Sequence, residues 1–205
     1  MTSHPPRVSI GMAVYNGENY LRSTLDSILG QSFADFELII SDNASTDSTQ
    51  QICGEYAARD SRVRYYRNAK NLGVVPNLNR VFDLSSGEYF KWADHDDTLA
   101  PEFLERCVAV LDSMPRVAVC FPQTKLIDEH GNFLGNYDPL PKTDSPHPHN
   151  RFGNLISAPD GRAIQTMGLM RRGLAKKTGL NGRYPSSDEV FLAHLALLGE
   201  FYEIP

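Results

Sequence analysis

Three carboxylates lie within four consecutive residues of this 205-residue chain, in the acidic run Asp94–Asp97. Like charges this close repel each other, and each raises the pKa of its neighbours unless a cation lies between them. Mg²⁺ and Mn²⁺ prefer oxygen ligands, and Mg²⁺ commonly combines one or two carboxylates with water and substrate phosphates. Helix capping ahead of Pro101 is a simpler use for one acid, but it does not account for three. The acidic run therefore predicts a site for Mg²⁺ or Mn²⁺.

Two further polar motifs follow apolar runs in the same way. Tyr15 follows the run 8–14, and Asp42 follows the run 36–40. The Tyr15 ring could stack on a nucleobase, and the Asp42 carboxylate could accept hydrogen bonds from a base or ribose. The simpler interpretations are a ring packed on the sheet and a polar helix cap within 45–47.

The elements that must position these motifs alternate between strand and helix in the first half. Predicted strands are 8–14, 36–40, 63–66 and 89–93, and predicted helices are 19–29, 47–58 and one that begins near Pro76. Such alternation is typical of a mostly parallel sheet with helices on both faces. Ligands of such sheets bind beyond the carboxyl ends of the strands, where all three polar motifs lie.

The second half is less regular. We predict a loop over 138–150, because it is rich in proline. The other predicted elements are helices 101–111 and 188–198, strands 117–121 and 164–170, and a hairpin of 123–128 with 133–135.

Composition narrows the class of protein. The hydrophobic content of 41% is ordinary for a globular fold, and the net charge of -5 argues against a nucleic-acid partner. The thiols of Cys53, Cys107 and Cys120 are too few and too far apart for a disulfide framework or a zinc site. With no signal peptide and no run near the ~18 apolar residues of a membrane span, we expect a cytoplasmic protein. Peripheral association with the inner face of the cell membrane stays open. A strand begins near Tyr202, so we expect the natural chain to continue.

Together these motifs resemble glycosyltransferase family 2, the inverting sugar-nucleotide enzymes with the GT-A fold. The resemblance is dense over about the first hundred residues and loose beyond them. It implies an α/β/α sandwich, Rossmann-like, with a mostly parallel sheet in a single catalytic domain over 1–205. About 1–97 would bind the nucleotide sugar and about 98–205 the acceptor. The matching segments are 8–21, 27–29, 31–33, 36–40, 42–47 (like the family's Asp-Asp-Gly-Ser-Thr-Asp), 71–73, Asn79, 87–89 and 94–97.

The resemblance also implies roles for individual residues. Asp94 and Asp96 would hold the metal and the diphosphate, and Asp97 would lie beside the donor sugar. Asp188 would act as general base, with Glu189 as the alternative, although an acid in a first helical turn is also ordinary dipole complementation. The residues that would hold the nucleobase and ribose are Ala13, Tyr15, Asp42, Asn71 and Gly73.

The implied reaction is metal-dependent transfer of a sugar, with inversion, from a nucleotide-diphosphate sugar, by expectation UDP-linked. The acceptor would be a hydroxyl of a glycan, a lipid-linked molecule or another compound, as in cell-surface polysaccharide synthesis. Asn43 and Ala44 replace the family's second Asp and its Gly, which should alter the turn and the base preference. Leu78 stands where a basic residue often precedes the matched Asn. The Gln-x-x-Arg-Trp element of processive synthases is not found, so we expect a single transfer.

Two other functions stay open. The segment 94–98 also matches Asp-x-Asp-x-Thr, the nucleophile loop of haloacid-dehalogenase-like phosphatases, where Asp94 would form an aspartyl-phosphate. That loop normally follows the first strand of its fold. A non-catalytic nucleotide-sugar or glycan-binding domain is the third possibility. A dinucleotide-dependent dehydrogenase is disfavoured, because no Gly-x-Gly-x-x-Gly follows a strand.

Overall fold

A seven-stranded sheet with helices on both faces organises the computed structural model, which describes residues 4–137, 141–157 and 164–205. The strands are β1 (Val8–Val14), β2 (Phe36–Asp42), β3 (Val63–Arg67), β4 (Tyr89–Ala93), β5 (Val117–Pro122), β6 (Lys125–Ile127), β7 (Phe133–Asn136), β8 (Leu169–Arg171) and β9 (Glu200–Ile204). The helices are α1 (Leu21–Leu29), α2 (Thr49–Arg59), α3 (Val74–Asp83), α4 (Phe103–Ser113), α5 (Pro148–Ile156), α6 (Arg172–Ala175) and α7 (Ser187–Leu198). A 3-10 turn, Ile164–Met167, precedes β8.

The order of strands in the sheet is β3-β2-β1-β4-β8-β5-β9, and β6 pairs with β7 as a separate hairpin. Strands β1 to β4 are mutually parallel, and β9 is parallel to β5. Among the described strands of the seven-stranded sheet, only β8 is antiparallel to its neighbours. The prediction of a mostly parallel α/β sheet is confirmed, and the carboxyl ends of β1, β2 and β4 meet at one edge.

Two apolar layers fill the space between the sheet and the helices. One layer joins β1 and β2 to α1, α2 and α4, and the other joins β4 and β5 to α3 and α7. Strand alternation sends Phe90 and Trp92 to the second layer and Tyr89 to the first. The result is the predicted α/β/α sandwich.

Helix α2 begins two residues later than the sequence predicts, at Thr49. Of the two expected caps, Ser45 is used elsewhere, because its Oγ accepts a hydrogen bond from Asn16 N (3.0 Å). Asp47 does accept a hydrogen bond from the first residue of the helix, Thr49 N (3.0 Å), and its other oxygen accepts one from Glu18 N (3.1 Å). The polar residues after β2 therefore join the loop after β1.

The second half departs more from prediction. The predicted strand 164–170 is wrong for its first part, which is the 3-10 turn. The local hydrogen bond from Gly168 N to Gln165 O (3.0 Å) closes this turn, and only residues after it pair with the sheet. The predicted loop 138–150 ends early, because Pro148 begins α5; residues 138–140 of that loop lie outside the described residues. The predicted hairpin is confirmed as β6 and β7. In the described part of the chain, no helix has the length and apolarity that a membrane crossing needs.

Candidate active site

The loops after β1 and β2 are joined by backbone and side-chain hydrogen bonds. Asn43 N donates to Val14 O (2.8 Å), and Thr46 N donates to Asn16 Oδ1 (2.8 Å). Asn16 has a φ of 53° and Ala44 a φ of 62°, both in the left-handed region. Asparagine tolerates this region, whereas alanine is strained there, so Ala44 carries the cost of a turn in which the family has glycine.

The acidic loop after β4 packs directly on the loop after β1. A Cβ atom on Gly17 would lie 2.7 Å from His95 Cδ2 and 2.8 Å from Val14 Cγ2, so only glycine fits without displacement. Helix α1 and the turn after it also hold the loop that follows β4. Thr24 Oγ1 donates to His95 O (2.9 Å), and Gln31 Nε2 donates to Ala100 O (2.7 Å). The position of the acidic run is thus fixed by contacts outside the run.

The electrostatics of the loop suit a cation. Asp94 is half-buried, and its pKa is raised by burial first and then by the charges of Asp97 and Asp96. Asp96 and Asp97 are exposed. Beneath them Lys91 is buried in β4, and burial lowers the pKa of its ammonium to about 8. A charged residue within the apolar strand was a sequence signal that the motif reasoning missed.

The carboxylates do not form a complete metal centre by themselves. Within the described ranges, no group of three His, Cys, Asp or Glu side chains is arranged to hold a metal ion. Carboxylate oxygens are nevertheless the donors that Mg²⁺ and Mn²⁺ prefer. The residues present therefore fit a cation whose remaining ligands are diphosphate and water oxygens, which agrees with a site that forms with its substrate.

Asp42 is fully buried (0% exposed), and both of its carboxylate oxygens are bound by protein groups. Oδ1 accepts from Ser45 N (2.8 Å), while Oδ2 accepts from Tyr65 Oη (2.9 Å) and from the Arg67 guanidinium. In this structure Asp42 stabilises the turn and does not face solvent. Its predicted contact with a nucleotide stays a prediction.

The neighbouring Asn43 is the residue that joins β2 to the predicted pocket residues Asn71 and Gly73. Its Nδ2 donates to Asn71 Oδ1 (2.9 Å) and to Gly73 O (3.2 Å). Ala13 is half-buried in β1, and Tyr15 beyond it is 45% exposed. The structure therefore brings these residues to one edge and adds Asn43, whose departure from the family's Asp was the available signal.

Helix α7, which carries the predicted general base Asp188, is positioned by an aromatic contact. The rings of Trp92 and Phe191 pack edge to face with centroids 5.3 Å apart, which joins β4 to α7. Because β9 follows α7 and runs parallel to β5, α7 begins at the carboxyl edge of the sheet. Asp188 and Glu189 are exposed in its first turn. Asp188 and the acidic run thus lie at the same edge of the sheet, although Asp188 comes 91 residues after Asp97 in the sequence.

Comparison with known proteins decides the family. A family model described as glycosyl transferase family 2 matches residues 9–179. The chain belongs to glycosyl transferase family 2. The phosphatase interpretation of 94–98 in this family-2 chain is therefore set aside.

Relatives and solved structures agree with this assignment. The putative glycosyltransferase EpsE of Bacillus subtilis is 37% identical over 127 residues, which are 62% of this chain and 46% of EpsE. S. aureus TarS 1-349 in complex with UDP has a TM-score of 0.74 at 20% identity, covering 97% of this chain and 57% of that one. Mannosyltransferase PcManGT from Pyrobaculum calidifontis, in complex with GDP-Man and Mn²⁺, has a TM-score of 0.70 at 18% identity and covers 99% and 56%. The fold is the GT-A fold, and the chain spans about half the length of the curated relatives it matches.

Proposed function

We propose that this family-2 domain transfers a sugar, with inversion at the anomeric carbon, from a nucleotide-diphosphate sugar to an acceptor hydroxyl. The observation that carries the proposal is the meeting of the exposed Tyr15, the acidic run and the start of α7 at one edge of the sheet. Structures similar in fold contain UDP, UDP-GlcNAc or GDP-Man, which supports a nucleotide-sugar donor. From the sequence we expect a UDP-linked donor.

In this proposal Asp94 and Asp96 hold Mg²⁺ or Mn²⁺ together with the donor diphosphate, and Asp97 lies beside the sugar. The bound ion supplies positive charge against the departing nucleotide diphosphate. The protein contributes a prearranged loop, because Gly17 and α1 fix the backbone around His95 before any ligand arrives. Prearranged charge of this kind avoids the cost of reorganisation during the reaction.

Asp188 is proposed to take the proton from the acceptor hydroxyl as that oxygen attacks the anomeric carbon. One displacement with one base gives inversion. A second carboxylic acid for the leaving group is unnecessary, since a nucleotide diphosphate leaves readily without protonation. The acceptor, a glycan, lipid-linked or other hydroxyl compound, stays a prediction, as do the cytoplasmic location and any contact with the membrane surface.

Metal-dependent donor binding is tested with Asp96→Ala. Calorimetric titration of UDP in the presence of Mn²⁺ is expected to show at least about a tenfold loss of affinity, because removing even a residue that only supports a metal ligand costs that much. Glu102→Ala is the matched control, since Glu102 is an exposed acid beyond the acidic loop. Equal affinity of Asp96→Ala and wild type would overturn the metal assignment.

The general base is tested with Asp188→Asn beside Glu189→Gln, two neighbouring exposed acids. With a donor and acceptor pair found by screening, Asp188→Asn is expected to retain donor affinity and to lose about 10²–10⁴-fold in turnover. Glu189→Gln should keep its turnover. If Glu189→Gln loses turnover and Asp188→Asn keeps it, Glu189 is the base. Full turnover in both variants refutes a base at the start of α7. Donor binding without turnover in wild type would favour the binding-domain alternative.

A further inference from the structure

Asn79 lies in the middle of α3, and the proposed reaction gives it no role. Its side chain bonds both backbone groups of Asn181, which lies 102 residues later in the chain. Nδ2 of Asn79 donates to Asn181 O (2.8 Å), and Oδ1 accepts from Asn181 N (3.3 Å). Asn181 is buried (8% exposed), so its N–H and C=O groups need partners within the protein. One carboxamide supplies both partners and ties the loop 180–186, which leads into α7, to α3.

The loop that Asn79 holds is strained at both ends. Leu180 has a φ of 53° and Ser186 a φ of 55°, both in the left-handed region. Neither residue is a glycine, and such conformations persist only where the surrounding structure holds them. Between them the Tyr184 ring covers Gly182, where a Cβ atom would lie 2.1 Å from Tyr184 Cε1. The two hydrogen bonds to Asn79 therefore hold a loop that would otherwise relax.

The conformation of this loop sets where α7 begins. Ser186 is the N-cap residue of α7, and Asp188 follows two residues later in the first turn. Phe191, about one turn further on, packs against the Trp92 ring, and Trp92 Nε1 donates to Leu78 O (3.0 Å). The start of α7 is thus connected at two points to adjacent residues of α3, once through the sheet and once through the loop.

We propose that Asn79 is a positioning residue that holds Asp188 at the carboxyl edge of the sheet through the loop 180–186. The inference rests on the proposed function, in which Asp188 is the general base. A base acts only when its carboxylate lies within hydrogen-bond reach of the acceptor hydroxyl, and a displacement of about 1 Å can cost about 10²-fold in rate. Loss of the Asn79 amide should therefore lower turnover and leave donor binding unchanged.

The first experiment compares Asn79→Ala with wild type, with turnover measured as nucleotide release from the donor and acceptor pair found by screening. Turnover is expected to fall about 10–100-fold, while calorimetry of UDP with Mn²⁺ shows unchanged affinity. Asn79→Asp should lose turnover as well, because its second oxygen would face Asn181 O where the amide has a donor. Val81→Ala is the matched control. Val81 is fully buried on the same helix, so this substitution lowers stability without removing a hydrogen bond to the loop, and turnover should persist.

A double-mutant cycle with Asp188→Asn tests whether Asn79 acts through the base. If it does, Asn79→Ala should cost about 10–100-fold when Asp188 is present and little when Asp188 is already replaced. Equal costs in both backgrounds would place the action of Asn79 elsewhere and overturn the proposal.

Hydrogen exchange tests the physical step directly. In Asn79→Ala the amides of Asn181 and Val190 should exchange faster than in wild type and Val81→Ala, because the first loses its acceptor and the second lies in the first turn of α7. Unchanged exchange at both amides would also overturn the proposal.

The outcomes separate this role from the proposed function. If Asp188→Asn and Glu189→Gln both keep full turnover, the proposed base fails, and the positioning role fails with it. If Asp188→Asn loses turnover and folded Asn79→Ala keeps it, only the positioning role fails. Should Asn79→Ala not fold, the same comparison is made with Asn79→Asp, which has nearly the same shape as wild type at this position.

Discussion

Gly17 offers a direct measure of how closely the loops of the site must approach. In Gly17→Ala the new methyl group would lie 2.7 Å from His95 Cδ2, 3.1 Å from His95 Cγ and 2.8 Å from Val14 Cγ2. Val14 is buried and cannot yield, whereas His95 is only half-buried and can move outward. Overpacking of this kind costs about 1–3 kcal/mol, and with one movable neighbour we expect about 2 kcal/mol.

Urea unfolding measures the cost, and calorimetry of UDP with Mn²⁺ measures its effect on the site. Displacing the His95 ring also displaces the loop that carries Asp94 and Asp96, so binding should weaken together with stability. In the His95→Ala background the substitution should cost about 1 kcal/mol less, since only the Val14 contact remains. Gly54→Ala in α2 is the control, because its methyl group meets nothing within 4 Å and alanine is the better helix former.

Two results would refute this reasoning. The first is a Gly17→Ala protein as stable as wild type, which would mean that the loops are not in contact in solution. The second is an equal cost with and without the His95 ring, which would assign the strain to Val14 alone. Unchanged UDP affinity in a clearly destabilised Gly17→Ala protein would separate the fold of the loop from its binding role.

Four further substitutions test other parts of the structure. Ala44→Gly should stabilise the protein by about 0.5 kcal/mol in urea unfolding, because relief of left-handed strain of about 1–2 kcal/mol exceeds the added chain entropy. Glu37 has a lowered pKa despite burial, through hydrogen bonds from Ser9, Arg64 and Ser86; its contribution is present above its ordinary pKa of 4.5 and is lost as the pH falls, so the acid unfolding curve of Glu37→Gln should fall less steeply than that of wild type. Burial lowers the pKa of Lys91 from 10.5 to about 8, so between these pH values the unfolded chain holds one proton more than the folded chain. The stability of wild type should therefore rise with pH across this window. Lys91→Met lacks this proton, so its stability advantage over wild type should shrink over the same range in urea unfolding. Arg151 is buried and its Nε donates to Ala196 O (2.7 Å), so Arg151→Met should cost about 2 kcal/mol by thermal and urea unfolding, while Arg151→Lys should recover part of that loss.

The first half of the fold was predictable because its signals are local. Each of β1, β2 and β4 is a short, mostly apolar segment with a polar motif at its carboxyl end. The second half was less predictable, because β8 has only three residues and depends on two neighbours distant in sequence. Helix α5 was missed because a proline-rich stretch was interpreted as a loop, although proline fits the first turn of a helix.

Some residues of the candidate site could likewise be predicted from the sequence, and others could not. The acidic run could be selected from residue type and order, and Asp188 was predicted from the family resemblance. The partners of Asn43 could not, because its hydrogen bonds to 68–73 connect residues that only the paired strands bring together. The burial of Asp42 and the fit of Gly17 against His95 are likewise properties of packing.

The short strand β8 also has a consequence for how the chain acquires its fold. Residues 169–171 lie between β4 and β5, which are complete by residue 122. During synthesis, the facing edges of β4 and β5 stay unpaired until β8 has been made, because almost fifty residues separate Pro122 from Leu169. Open edges of this kind invite pairing with other chains. We therefore expect residues 1–97, produced alone, to aggregate, and the late insertion of the three residues of β8 to limit the rate of folding.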